Sequence, residues 1–384
     1  MKILISATYF YPYSSGLSIY ALRLAEALAE RGHEVVVLTS QHRKDLAELE
    51  PHGKFQIVRV PVAVKLSKGV LMPTLNKIAR QWIAWADVIN LHLPQFESMF
   101  LSQIAKEFKK PVLVTYHCDL VMGAGWLHRL AGLVTTAISR KVVRDANLIV
   151  QNSLDYAENS PVLSLYLEKV FEVPTPVKVK LVPEERIEVF RQKYGLKSSD
   201  KVIGLAGRVA TEKGYEYLAM ALPGILQTFP QASVVHAGAW KSVIGEQNYQ
   251  SQVERQIEPF GKKWQSLGYL SDEDFEAFFG ACDVLVFSSL NATESYGIVQ
   301  IEAMTQGTPV VASDLPGVRQ PVAQTGLGKI VPIRDAEAIR RAVIEILSEG
   351  KKDRIIPTQF LQKFQQEAVA RRYEELMSLL VGHD

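Results

Sequence analysis

Cysteine is nearly absent from this chain: Cys118 and Cys282 are the only two in 384 residues, far apart and in no metal-type spacing. Neither a disulfide framework nor a zinc knuckle is indicated, and a reducing, cytoplasmic setting is expected. An excess of one charge is missing too, since 43 Lys and Arg face 41 Asp and Glu. That balance argues against binding nucleic acid over the whole surface and leaves any basic feature local. No uninterrupted apolar run is long enough for a membrane-spanning helix. The N-terminus, MKILISATYF, enters directly as a strand-like run, without the long apolar segment and cleavage site of a signal peptide. The expectation is a cytoplasmic protein, at most peripheral on the inner face of a membrane. No Gly-x-Gly-x-x-Gly follows the first strand-like run, which disfavours a dinucleotide-dependent dehydrogenase.

What the chain has is alternation. KILISA (Lys2 to Ala7) reads as a buried strand, and Ser18 to Glu30 places Ile19, Leu22, Ala25 and Leu28 at helical spacing before Gly32. EVVVLTS follows as the next strand, so the opening is a βαβ unit with parallel strands. QIVRVPV, DVINLHL, PVLVTYH and ANLIVQN continue the pattern. Glu172 to Glu185, EVPTPVKVKLVPEE, has three prolines and no helical period, and reads as an extended linker. Beyond it come KVIGLAGRV, a helix from about Lys213 to Phe229, SVVHAGA, WQSLGYL, the short helix DEDFEAFFGA, VLVFSS and PVVASD. The run from Pro357 to Leu380 reads as one long amphipathic helix.

An α/β protein of two doubly wound, parallel-sheet (Rossmann-like) domains is the expectation, residues 1–174 and 175–364, with about 365–384 packing back on the first. Ligands of such sheets bind at the carboxyl ends of the strands, here in a cleft between the domains, so function belongs to the loops that follow strands.

Four of those loops carry chemistry. YFYPYSSGLS leads into a helix, with Gly16 leaving room for a phosphate or sugar oxygen and Ser18 as helix cap; a plain turn explains it equally well. LAGRVATEKG sets Arg208 and Lys213 after a strand, where two cations can clamp one anion. VTYHCDL sets His117 at a strand end with Asp119 beside it, and His92 in NLHLPQ has a similar place with a weaker claim. In ESYGIVQIEAM a helix is expected from near Tyr296 through Ala303. Gly297, Ile298 and Val299 would then offer amides to a diphosphate, Glu294 would precede the helix, and Glu302 would lie within an apolar run. A carboxylate in such surroundings needs a partner, and two hydroxyls of a ribose or another sugar would serve.

Glu294 and Glu302, with seven residues between them, match the signature of the retaining GT-B glycosyltransferases of family 4, which the chain resembles. GRVATEKG is similar to the Gly-Arg…Lys-Gly clamp of that family, and EAMTQGTPVVASDLPG to its exit from the signature. YPYSSGLSIYALRLAEALAERGHEVVVLT and VLVTYHCD resemble its first-domain motifs. The resemblance implies that Arg208 and Lys213 bind the donor diphosphate, that Glu302 holds the ribose and that Glu294 meets the transferred sugar. It implies further that the amides of Gly297, Ile298 and Val299 approach the phosphates, that His117 contacts the sugar or the reacting face, and that Gly16 admits donor or acceptor. Two departures stand out: Ser295-Tyr296-Gly297 replaces the usual Gly-Phe-Gly, and Ser15 precedes a single Gly16 where the family often has paired glycines.

The implied activity is retaining transfer of a hexose from a nucleotide-sugar, UDP-linked first and GDP-mannose second, to a hydroxyl of a glycan, lipid-linked or small-molecule acceptor. No Asp-x-Asp stands at a strand end, and no metal or other cofactor is expected. A nucleotide-sugar epimerase is the alternative; it shares the architecture and needs no acceptor. GVLMPTLNKIARQWIAW (from Gly69) and GWLHRLAGLVTTAISRKVVR (from Gly125) mix apolar and basic residues, as membrane-surface helices do, although ordinary helices packed on a sheet have the same composition.

Overall fold

In the computed structural model, residues 1–66, 69–121, 126–241, 243, 245–350, 356 and 358–382 are described. The chain divides into unit 1, Met1–Val177 with Lys363–Asp384, and unit 2, Lys178–Gln362.

Unit 1 is built on an eight-stranded sheet. From one edge its strands run Val170–Glu172, Leu148–Gln151, Val112–Tyr116, Val88–Leu93, Lys2–Ser6, Glu34–Gln41, Phe55–Pro61 and Leu49–His52. Ile3 pairs in parallel with Val35 on one side and Val88 on the other. Such strands are covered on both faces, which is why they read as continuous apolar runs. The core gathers Ile3, Ile5, Leu24, Leu28 and Val37 with Tyr373 and Leu376 from the last helix.

Three expectations change here. The edge strand Leu49–His52 runs antiparallel to Phe55–Pro61, because a turn through Gly53 (φ 55°) is too short for a parallel crossover. The segment from Gly69 opens as the strand Gly69–Leu71, and its helix is only Leu75–Trp85. The last run is two helices, Thr358–Gln362 and Gln366–Val381. Between them the Val177 amide donates to the Phe364 carbonyl (2.8 Å) and Gln365 is extended (φ −57°, ψ 137°), so the chain leaves the helix to pair with another segment. Pro357 and Gly125 lie outside the described residues.

Unit 2 holds a six-stranded, all-parallel sheet in the order Trp264–Gly268, Ala232–Ala237, Lys201–Ala206, Val284–Phe287, Val310–Ser313, Gly328–Val331. In order of appearance that is 3-2-1-4-5-6, the doubly wound arrangement whose crevice opens between the first and fourth strands. Ile203, Leu205, Leu218, Leu222, Val234 and Val343 share its core.

Candidate active site

The crevice of unit 2 is bounded by the loops after Lys201–Ala206 and Val284–Phe287. The first runs through Gly207 and Arg208 to a single turn of 3-10 helix, Thr211–Lys213, and the helix proper is Tyr215–Thr228. The sequence places that helix start at Lys213. Gly214, with φ 63°, interrupts it, since a left-handed residue cannot continue a right-handed helix. A Cβ at Gly214 would lie 2.4 Å from the Ser288 carbonyl oxygen, so the two loops meet backbone to backbone. The Ser288 hydroxyl is within hydrogen-bond distance of the carbonyls of Lys213 (3.0 Å) and Gly214 (3.1 Å), and the Leu290 amide donates to the Glu212 carbonyl (2.8 Å).

That lacing carries Lys213 onto the second loop. Its Nζ donates to Glu294 Oε2 at 2.5 Å, with the side chains 16% and 19% exposed, and stands 5.1 Å from the centre of the Phe287 ring. Arg208 does not join Lys213; its guanidinium is bonded to Glu212, four residues further along. Glu212 is a site residue that the sequence reading missed: Arg208 stands in the loop before the turn and Ala210 between them is extended, so no helical spacing announces the pair.

The signature helix is Ile298–Thr305, not Tyr296 to Ala303. Gly297 caps it at φ 86°, a conformation outside the helix that leaves Tyr296 in the loop. A Cβ on Gly297 would meet the Phe287 ring at 2.6 Å. The amides of Ile298 and Val299 belong to the first turn and have no carbonyl one turn behind them. Glu302 lies on the second turn, half-buried, between buried Ile301 and Ala303.

Behind Gly207 stands His236, a residue with no sequence signal. Burial lowers its pKa to about 4, so the ring is neutral. A carbonyl only accepts, so Nε2–H donates to the Gly207 oxygen (2.7 Å) and Nδ1 accepts from the Ser266 hydroxyl (3.1 Å).

In unit 1 the corresponding crevice lies where Lys2–Ser6 separates Glu34–Gln41 from Val88–Leu93. The cap of the following helix, Gly16–Glu30, is Ser15 rather than Ser18. The Ser18 amide donates to Ser15 Oγ (3.2 Å) and the Ser15 amide to Ser18 Oγ (2.8 Å), a reciprocal capping box. Gly16 is therefore the first helical residue. A Cβ there would meet nothing within 4 Å, so the packing does not demand glycine, and the space above it stays open to a ligand.

His117 and His92 form a pair: Nδ1 of His92 lies 2.9 Å from Nε2 of His117, and both rings are buried. Burial pushes the pKa of His117 down to about 3 and that of His92 well below its ordinary value. Two neutral rings share one proton across that contact, which ties the tautomer of His117 to that of His92. Tyr20 packs edge-on against His117 at 4.9 Å between ring centres. Asp119 turns elsewhere. Its carboxylate accepts from the hydroxyls of Tyr116 (2.7 Å), Tyr156 (2.9 Å) and Ser160 (3.1 Å), which makes it a structural group of unit 1.

A doubly wound sheet whose crevice holds two cations, a paired glutamate and an open helix start defines a nucleotide-binding unit. Residues 186–359 match the family model of "Glycosyl transferases group 1", and residues 15–166 match that of the "Glycosyl transferase 4-like domain". The phosphatidyl-myo-inositol mannosyltransferase of Mycolicibacterium smegmatis is 26% identical over 91% of this chain and 86% of its own. Sucrose-phosphate synthase from Thermosynechococcus elongatus superposes with a TM-score of 0.84, at 21% identity, over 100% of both chains. Anabaena HepE in complex with UDP-glucose gives 0.78, at 20% identity, over 99% of this chain and 100% of its own.

The chain belongs to the group 1 glycosyltransferases, family 4, of GT-B fold. It is an enzyme that transfers sugar from a nucleotide-sugar, and none of these findings favours the epimerase reading.

Proposed function

We propose that the protein moves a hexose from a UDP-sugar, with GDP-mannose as second choice, to an acceptor hydroxyl with retention of anomeric configuration. The observation that carries this reading is the contact between Lys213 and Glu294, which joins the diphosphate clamp to the sugar-side carboxylate. Arg208 and Lys213 would take the charge that grows on the leaving diphosphate as the glycosyl bond breaks with oxocarbenium character. The amides of Ile298 and Val299, with Gly297 opening the helix, would meet the phosphates. Glu302 would accept the ribose hydroxyls, and Glu294 those of the sugar. In unit 1, His117 would hydrogen-bond the sugar, and the open space above Gly16 would admit donor or acceptor. The acceptor hydroxyl would attack from the face the diphosphate leaves, so configuration is kept without a metal ion.

The UDP choice is supported by the UDP-glucose complex of HepE, and the mannose choice by the name of the mycobacterial relative. That relative's name also supports a lipid-linked acceptor over a free glycan or small molecule. Leu133 and Val134 are exposed on the helix Trp126–Asp145, which carries Arg140 and Arg144 further along, a surface suited to a peripheral membrane contact. Among the described residues no helix is long and apolar enough to cross a membrane. A thermal-shift screen over UDP, GDP, ADP and their sugars tests the donor: stabilisation by UDP and a UDP-hexose is expected. Stabilisation by ADP alone would overturn both donor choices. NMR of the product anomer tests retention, and co-sedimentation with anionic vesicles tests the membrane contact.

A further inference from the structure

The Tyr215 side chain, 3% exposed, opens the helix that follows the clamp loop, and its hydroxyl has no hydrogen-bond partner. A phenol left so is costly, because a buried donor without an acceptor loses its water for nothing. The ring has its own reason to be there: it packs against His236 at 5.4 Å between centres and belongs to the unit 2 core. Phenylalanine would fill that role equally well. The hydroxyl needs a separate account.

Its surroundings supply one. Gly207 has φ 125° and is only half-buried, and a Cβ built on it would find as nearest neighbours the Tyr215 Oη at 3.6 Å and Lys213 Cε at 3.8 Å. A side chain would occupy that space; the Tyr215 hydroxyl beside it is buried, so a ligand there meets it only by displacing the atoms that cover it. The space is therefore bounded by one hydroxyl and by the stem of the clamp lysine. The Tyr215 Oη and the Lys213 Cε border the same point above Gly207, so the hydroxyl stands beside the stem of the clamp lysine. Burial and the charges of Glu212 and Glu294 raise its pKa, which keeps the proton on the oxygen and the group a donor. The polar face of His236 is taken up by Gly207 and Ser266, so that ring offers it no acceptor.

We propose that the Tyr215 hydroxyl is a third donor of the diphosphate clamp, hydrogen-bonding a phosphate oxygen of the bound nucleotide in the space above Gly207. The inference rests on reading Arg208 and Lys213 as that clamp and adds a neutral donor to it. Unlike the two cations, this donor is not engaged by a carboxylate in the resting site.

Isothermal titration of the full chain with UDP, GDP and ADP, and with the matching nucleosides, tests it in wild type, Tyr215→Phe and Lys213→Ala. In Tyr215→Phe the affinity for the preferred diphosphate is expected to fall about 10- to 100-fold, the range of one hydrogen bond to a charged acceptor, with the nucleoside unaffected. An unchanged melting temperature, or a higher one from removing an unsatisfied hydroxyl, would accompany it. If Tyr215→Phe binds the diphosphate as wild type does while Lys213→Ala does not, the inference is overturned and the clamp reading stands. If both variants bind as wild type does, the diphosphate lies elsewhere and both fall. An equal loss for nucleoside and diphosphate would show a distorted fold and overturn the inference.

Discussion

Lys213 and Glu294 are bonded to each other at 2.5 Å, although one is assigned to the leaving diphosphate and the other to the transferred sugar. Arg208 is likewise held, by Glu212. In this state both cations proposed for the clamp are paired with carboxylates, and a diphosphate bound there would have to exchange for them. The arrangement keeps two charges satisfied in a partly buried crevice, where an unpaired cation would be costly.

Removing the lysine therefore has two consequences. Lys213→Ala is expected to reduce transfer kcat/KM by about 100-fold or more, as loss of a charge-stabilising group does. It also leaves Glu294 without its cation. Steady-state rates with the preferred nucleotide-sugar check this; transfer left intact would refute the clamp.

Glu294→Gln separates the two roles by sign. The substitution frees Lys213 from its competitor, so free nucleoside diphosphate should bind about 3-fold tighter or better. Transfer should slow by about 100-fold because the sugar loses its carboxylate. Titration and kinetics on one preparation would expose both effects. Weaker diphosphate binding would show that Glu294 supports the phosphates and does not compete with them.

Glu302→Gln should act on the nucleoside end. About 10-fold weaker binding of the nucleotide is expected, with a smaller loss for its 2′-deoxy form, because that form lacks one of the two hydroxyls the carboxylate would accept. Equal losses for the two nucleotides would remove Glu302 from the ribose.

Gly214→Ala tests the lacing of the two loops. The left-handed backbone disfavours any side chain, and the new methyl would meet the Ser288 carbonyl at 2.4 Å. A loss of about 2 kcal/mol or more in urea unfolding is expected, with transfer falling alongside it. Wild-type stability in that variant would mean that the loops can part without cost.

Acid should destabilise the fold. The folded pKa of His117 is about 3 and that of His236 about 4, and His92 is also depressed, against an ordinary value of 6.5. The unfolded chain therefore binds more protons between those values, and the stability from neutral burial, complete above 6.5, is lost as the pH falls towards 4. Each ring contributes a slope of about 1.4 kcal/mol per pH unit inside that window. Urea midpoints measured from pH 7.5 to 5 should fall steadily. A flat profile would mean that the rings titrate normally in the fold.

Apolar runs of strand length, alternating with 3.6-residue periodicity, determined the doubly wound class by themselves, because a strand covered on both faces and a helix covered on one leave different one-dimensional traces. The Gly-Arg…Lys-Gly loop and the two glutamates were legible for a related reason: each stands at a fixed offset from a strand end. What the sequence could not show were the partners. Glu212 takes Arg208, Glu294 takes Lys213, Asp119 is drawn to Tyr116, Tyr156 and Ser160, and His92 joins His117. Most of these contacts join residues brought together only when one strand lies beside another or one loop packs on the next. The helix starts at Gly16, Tyr215 and Ile298 were likewise settled by a capping box and by left-handed glycines seated against neighbouring atoms. Local pattern specifies which elements form; burial, and the need of each buried polar group for a partner, decides which atoms face each other.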